Sequence, residues 1–439
     1  MTVELAHPST EPLGARSPAE PAHPRWWFVS TTPGRILTIG IMLAILGVSS
    51  AFATSTTINH RQRVLTAVLD HTEPLASAAG RLYTTLSVAD AAAATAFIAQ
   101  AEPRDVRARY EQAITGAAIA VTRASSGLSD ESQVRLLGRI NAELAVYSGL
   151  VEIARTNNRT GNPVGSSYLS EASGLMQSQI LPDAQQLYEA TSTRVDNETT
   201  ASTKIPAPVI LVVATTVMFG AFAHRWLVQR TRRRINPGLV AGGLSILVMV
   251  AWVGTALTIS TAASRSAKDT AAESLKTVTN LAITAQQARA DETLSLIRRG
   301  DEELRKQAFY QRLDAMHQQL DQYIARQDSV DKSDLQSADQ LLVRWQQANE
   351  RINSYISVGN YRAATAVALG KGPDDATPAF EKLDEALTKA MAQSRNLLRK
   401  DVLNAHRGLA GAQVGAVVLS IGAAIAVALG LWPRLEEYR

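Results

Sequence analysis

Four apolar stretches, residues 36–53, 207–223, 238–259 and 411–432, contain no Asp, Glu, Lys, Arg or His. Each approaches the ~20 residues that a helix needs to cross a hydrocarbon core roughly 30 Å thick. Lipid offers the backbone no hydrogen-bond partners, so stretches of this kind are expected to be helices. Two polar segments, residues 54–206 and 260–410, alternate with them, and the order span, domain, span occurs twice.

Arginine placement sets an expected orientation, because short loops rich in Lys and Arg stay on the cytoplasmic side. Residues 224–237 carry Arg225, Arg230, Arg232, Arg233 and Arg234 and no acidic residue, and the tail before the first span adds Arg16, Arg25 and Arg35 against three glutamates. The expected layout is therefore a multi-pass plasma-membrane protein with both termini in the cytoplasm. A Pro-rich disordered tail occupies 1–35, reaching the interface at Trp26-Trp27-Phe28. Spans 36–53 and 207–223 flank an extracytoplasmic domain at 54–206. A basic inner loop at 224–237 follows, then spans 238–259 and 411–432 around a second extracytoplasmic domain at 260–410, and a short tail at 433–439. The loop arginines fix this topology and suit contact with anionic lipid or a cytoplasmic partner. The formal net charge of +4 arises in these inner pieces, so it gives no sign of nucleic-acid binding. A cleaved signal peptide ending at Ala53 is the alternative for the first span, since Ala51-Phe52-Ala53 has the small-x-small pattern, but the long tail ahead of it argues against that reading.

No cysteine occurs, so domains outside the membrane fold by burial alone, and segments of about 150 residues are large enough to do so. Strand signals are missing from both. Leu65, Thr72, Ala79 and Leu86 repeat every seven residues beside Val68, Leu75 and Leu82, which predicts one apolar seam along a helix that Pro74 kinks or restarts. Further helices are expected over 104–125, over 130–156 after a cap at Ser129, and over 166–198 with an interruption at Pro182. In the second segment a helix runs out of the third span until Gly300, and Asp301 opens the next. A capping box begins at Ser333, and Thr377-Pro378 caps a last helix. That last helix is expected to continue unbroken from Ala379 to Trp432, about 80 Å at 1.5 Å per residue. Ala89-Asp90 matches Ala290-Asp291, Tyr110 matches Tyr310, and Asn157-Asn158 pairs with Gly359-Asn360, which points to a duplication with an offset near 200. The fold class is an all-α membrane protein with two helical-bundle domains in tandem.

Catalytic chemistry finds no foothold. The seven histidines have no metal-ligand spacing and there is no cysteine, so neither a zinc site nor any other metal or cofactor is expected. Gly370-Lys371-Gly372-Pro373 lacks the phosphate-loop spacing and reads as a turn, with Asp374-Asp375 as its solvated continuation. No nucleophile elbow occurs, and the chain is not expected to be an enzyme. The spans carry no ionisable residue, which argues against a carrier or channel. The glycines at Gly220, Gly242, Gly243, Gly415 and Gly422, and the Gly411–Gly415 spacing of four, suit close helix pairing or a homo-oligomer.

Helical bundles outside, hairpin spans and short inner pieces fit a protein that reports an external event to a separate cytoplasmic protein. The four spans and the inner run Arg230-Thr231-Arg232-Arg233-Arg234 resemble GlnX-type transmembrane sensors over the whole length. The resemblance implies an extracytoplasmic GlnH-like solute-binding lipoprotein, an amino acid, aspartate or glutamate, as the signal, and a PknG-like Ser/Thr kinase inside. The alternatives are a direct small-ligand receptor and a non-catalytic envelope scaffold or assembly protein.

Overall fold

The computed structural model describes residues 32–99, 104–128, 130–204, 206–231, 237–297, 302–326 and 332–436. The Pro-rich tail with Arg16, Arg25 and the aromatic trio, together with Ser129, Arg232 to Arg234, Gly300 and Asp301, lies outside them. Every regular element among the described residues is helical. In chain order these are α1 Thr32–Ala67, α2 Glu73–Ile98, α3 Arg104–Ser125, α4 Glu131–Arg159, α5 Gly165–Leu175, α6 Leu181–Thr203, α7 Ala207–Thr231, α8 Pro237–Ser266, α9 Glu273–Ile297, α10 Glu302–Ala325, α11 Lys332–Ser357, α12 Tyr361–Leu369, α13 Ala376–Gly408 and α14 Ala412–Glu436. Elements α1 to α7 recur as α8 to α14, so the tandem arrangement is present as an architecture.

Single turns of π-helix join α1 to α2 (Val68–Thr72), α5 to α6 (Met176–Ile180) and α8 to α9 (Ala267–Ala272). The first two end two residues before Pro74 and Pro182. A proline leaves a carbonyl one turn earlier without its donor, and a widened turn accommodates this without breaking the helix. The Glu73 amide accordingly reaches back five residues to Val68, and the Leu181 amide to Met176. The helix thus continues through Pro74 rather than restarting. The third π turn occupies the corresponding place in the second half with no proline near it.

The chain separates into two compact units, one made of residues 1–53, 208–250 and 417–439, the other of 54–207 and 251–416. The first contains most of the apolar helix length. Among the described residues four helices are long and apolar enough to cross a membrane, and here Leu37, Ile41, Ile45, Val48, Leu211, Met218, Leu244, Leu247, Ile421 and Leu429 face outward. Such a band of exposed aliphatic side chains suits lipid and would be a liability in water. Inside the unit, Ile36 and Leu43 of α1 pack with Ala223 and Leu227 of α7 and Leu431 of α14. Helices α8 and α14 approach most closely where Gly238 faces Gly430 and where a β-carbon at Gly242 would lie 3.2 Å from the Ala423 carbonyl. The close contact is therefore made by the Gly238–Gly242 pair; Gly411, Gly243 and Gly422 meet nothing within 4 Å. The spacing of four that matters is the one whose row points at another helix.

The second unit holds two helical bundles. In the first, α2 packs along α3 and α6, and α4 along α5 and α6. Leu82, Leu86, Ile140, Tyr147, Leu169 and Met176 fill its core. The seven-residue seam is fully inside, from Leu65 through Val68, Thr72, Leu75, Ala79 and Leu82 to Leu86. In the second bundle α9 packs on α10 and α13, and α11 on α12 and α13, around Leu281, Phe309, Trp345, Phe380 and Leu387. Helices α2 and α9, equivalent in the two halves, pack directly on each other, and Ile283 of α9 belongs to the core of the first bundle.

Several boundaries differ from the sequence-based expectation. Helix α11 already begins at Lys332, so Ser333 falls within it rather than before it. Asp130 is the N-cap of α4, its Oδ1 accepting the Ser132 amide at 2.8 Å, so the cap is one residue later than Ser129. Helix α13 begins after Asp375 rather than at Thr377-Pro378; the Thr377 hydroxyl instead donates to the Ala368 carbonyl at 2.7 Å. The expected 80 Å helix does not exist. It stops at Gly408, the Ala410 amide turns back three residues to Arg407 at 2.9 Å, Gly411 takes φ +74°, and α14 restarts at Ala412.

The repeat also has a different register at the α4–α5 turn. Gly161 (φ +71°) and Gly359 (φ +73°) are the equivalent residues, each followed by Asn. In both turns the Gly amide reaches a carbonyl three residues back, and the Asn amide one five residues back at 2.8 Å. The match is Gly161-Asn162 with Gly359-Asn360, not Asn157-Asn158. Left-handed backbone costs an L-residue about 1–2 kcal/mol, so Gly161→Ala and Gly359→Ala are each expected to destabilise the protein by that amount. Gly138, mid-helix with nothing within 4 Å, should give the opposite sign on Gly138→Ala, a gain of about 0.5–1 kcal/mol. Thermal unfolding of the detergent-solubilised chain checks both signs.

Candidate functional site

Each bundle buries a carboxylate from its first helix beneath an aromatic side chain. In the first bundle this is Asp90, 3% exposed, which accepts from the Ser173 hydroxyl at 2.8 Å and from Tyr147 Oη and Gln177 Nε2 at 3.4 Å. All of its donors are neutral. Burial therefore dominates and holds the Asp90 carboxyl above the ordinary carboxylate range, with the three hydrogen bonds and, least, the charge of Arg305 opposing. In the second bundle the carboxylate is Glu292, which accepts from Trp345 Nε1 and Asn349 Nδ2 at 3.2 Å and from Arg289. Trp345 stands where the first bundle has Tyr147, at the offset of 198 that relates the two Gly-Asn turns. The guanidinium of Arg289 donates to Thr377 Oγ1 at 2.8 Å and lies over the Phe380 ring at 5.4 Å. Charge is thus paired in one core and unpaired in the other.

Between the bundles runs a polar seam. The Tyr83 hydroxyl of α2 accepts from Gln287 Nε2 of α9 at 2.6 Å. Arg312 of α10 donates to Asp291 at 2.9 Å and also reaches Gln287. Gln286 donates to Asp384 at 2.8 Å, and burial pushes the Asp384 carboxyl upward. Arg395 of α13 holds the nearly buried Glu73 at 2.6 Å. At the exposed rim, Arg109 meets Glu381 at 2.7 Å and Lys371 meets Asp105 at 3.2 Å.

Several cavities open along this seam, and two of them bear on the groups described here. The smaller, about 130 Å³, is lined by Tyr83, Asp90, Gln177, Gln287, Asp291 and Arg312. The larger, about 400 Å³, is built by α2, α6, α9 and α13 and begins at Glu73 and at Ala272-Glu273, where two π turns end. Both draw side chains from both halves of the chain. Among the described residues, no group of three or more His, Asp or Glu could hold a metal ion.

The residues singled out in the sequence lie elsewhere. Arg225 is exposed on α7, Arg230 belongs to the last turn of that helix, and Arg232, Arg233 and Arg234 lie outside the described residues. The Gly370–Pro373 loop caps α12 and carries Lys371 to Asp105. Asp90, Asp291 and Tyr110 are visible in the sequence as repeat markers, but their burial is not. The signal for Arg289 and Glu292 is their place on the apolar row of α9 with Leu281, Ala282 and Ala285, where charge demands a partner.

Residues 64–200, a little under a third of the chain, match a family model described as an actinobacterial sensor domain. The match runs from the end of α1 through α6 and takes in the whole first bundle. Neither the curated proteins nor the solved structures contain a match. The chain therefore combines a sensor-type bundle with four apolar helices of membrane-spanning length.

Folded protein binds the Asp90 proton at a higher pH than the unfolded chain, whose carboxyl titrates near 3.8. Its contribution to stability is therefore lost as pH rises from 3.8 through the raised folded value. Asp90→Asn is expected to melt higher than wild type at pH 7 and to flatten this part of the pH profile. An unchanged or lower midpoint would contradict the assignment. Arg289→Met should instead cost about 3–5 kcal/mol by stranding Glu292.

Proposed function

We propose that the chain is a multi-pass transmembrane sensor without enzymatic activity of its own. Its bundles lie outside the plasma membrane, and its termini and the Arg225 to Arg234 loop lie in the cytoplasm. It detects an extracytoplasmic amino acid, aspartate or glutamate, through a solute-binding lipoprotein and relays the signal to a separate cytoplasmic Ser/Thr kinase. The observation that carries the sensing role is the sensor-family match over the first bundle. The basic loop supports the orientation. The lipoprotein, the amino acid and the kinase rest on the resemblance of the layout to GlnX-type sensors.

The helices provide a route for the signal. α1 runs without a break from apolar sequence to Ala67, and α8 does the same to Ser266. The returning helices are interrupted before α7 and again at 409–411. Exposed ion pairs such as Arg109–Glu381 and Lys371–Asp105 contribute less than about 1 kcal/mol each, so this rim opposes a second packing of the bundles only weakly. A loaded binding protein that favours one packing would shift α1 and α8 and alter what the loop and tails present inside.

The absence of cysteine makes two tests direct. In intact cells, an impermeant maleimide should label Ser126→Cys and Ser357→Cys but reach Gln229→Cys only after permeabilisation; all three are exposed positions. A short bismaleimide joining Asp105→Cys to Lys371→Cys should abolish amino-acid-dependent phosphorylation by the kinase while each single variant retains it. A full response with the rim crosslinked would sink the relay by bundle repacking.

A further inference from the structure

The 400 Å³ cavity lies within the size range of small-molecule sites, and its charges are unevenly satisfied. Three cations line it, Arg81, Lys276 and Arg395, with three acids, Glu73, Asp196 and Glu273. Arg395 is engaged with Glu73 at 2.6 Å, and Glu273 meets Arg326 at 3.5 Å. The side chains of Arg81, Lys276 and Asp196 have neither a hydrogen bond nor an ion pair among the described residues, which leaves an excess of one positive charge facing the cavity. Arg81 stands in a cationic setting. Burial first, then the guanidinium groups of Arg395 and Arg123, lower its pKa, with Glu73 opposing. An anion bound there would relieve both the desolvation and the like-charge repulsion.

The rest of the lining fits an organic rather than an inorganic anion. Hydroxyl groups of Ser77, Ser192 and Thr388 offer neutral donors, whereas those of Thr84 and Thr279 already donate to carbonyls of their own helices; Val195, Leu275, Met391 and Leu398 supply an apolar wall. At Gly80 a β-carbon would stand 3.4 Å from the Tyr188 ring and 3.6 Å from Thr279 Cγ2, ordinary contact distances that place the meeting of α2, α6 and α9 beside the cavity.

We infer that this cavity is a direct binding site for a small organic anion carrying a carboxylate, held by Arg81 with Lys276 and shared between the two bundles. The site needs no binding protein. Because its walls come from α2, α6, α9 and α13, an occupant stabilises one packing of the halves, which adds a second input to the sensor reading; only this regulatory consequence rests on that reading.

The test uses the full chain in nanodiscs of uncharged lipid, with no partner present and at constant ionic strength. Thermal unfolding and calorimetry are followed with acetate, succinate, citrate and benzoate, with succinamide as the neutral control and sulfate as the inorganic control. At least one carboxylate is expected to raise the midpoint saturably while succinamide and sulfate do not. Arg81→Gln, a change at a side chain without a hydrogen-bond or ion-pair partner among the described residues, should fold with a midpoint near that of wild type and bind at least tenfold more weakly. Lys276→Gln should weaken binding in the same direction. No stabilisation by any of the four acids, equal stabilisation by sulfate, or unchanged affinity in Arg81→Gln overturns the site. Loss of this binding site with an intact amino-acid response through the lipoprotein would leave the proposed function standing, and the reverse result would separate them equally well.

Discussion

The contact of α2 with α9 is the interaction on which the folded unit depends. These are the first helices of the two bundles, and each is also the central helix of its own bundle. Leu82 and Leu86 turn into one core, Leu281 and Ala285 into the other, while Gly80, Tyr83, Ile283 and Gln287 face the neighbouring half. A helix buried on more than one side needs a wide apolar face, which explains why alanine is so frequent on both: Ala78, Ala79, Ala89, Ala282, Ala285 and Ala288 are all inside. Small side chains let three or four helices converge on one axis at packing distance.

The two halves differ in how they handle buried charge. In the second bundle Arg289 and Glu292 neutralise each other, with Trp345, Asn349 and Thr377 completing their hydrogen bonds. The residues equivalent to Arg289 and Glu292 in the first bundle, using the alignment of Asp90 with Asp291, are Val88 and Ala91. There the lone carboxylate of Asp90 is met only by neutral donors. One half thus holds a pair that is costly to break, the other an acid whose charge the fold tolerates poorly. The halves share a topology while differing in how the acid beneath the central aromatic side chain is satisfied.

Much of this architecture was legible in the sequence because it follows from composition and period. Uncharged stretches gave the apolar helices, and the seven-residue row from Leu65 to Leu86 gave the buried face of α2. The limits of α3 were readable from Pro103 and the following helical pattern, and α3 indeed spans Arg104–Ser125. What was not legible depends on other helices. The break at Gly408 to Gly411 reads as two tolerated glycines until Gly408 is seen lying against Ile259 and Ser260. The π turn at Ala267–Ala272 has no proline to announce it. The polar seam and both cavities require knowing that α2 and α9 face each other, and no local pattern in α2 distinguishes Arg81 from any solvated arginine.

The three π turns have a consequence for how helical register is set. Each holds one residue more than an α-helix needs for the same path, and one residue corresponds to about 100° of rotation around the axis. In α1–α2 and α8–α9 this surplus lies between the apolar segment and the bundle core. Residues before and after it can therefore satisfy two different facial alignments within one uninterrupted helix. A surplus that moved by a turn along the chain would rotate only the residues it passed, leaving both ends where they were. Azimuth, rather than tilt or displacement along the axis, is the degree of freedom that these helices hold in reserve.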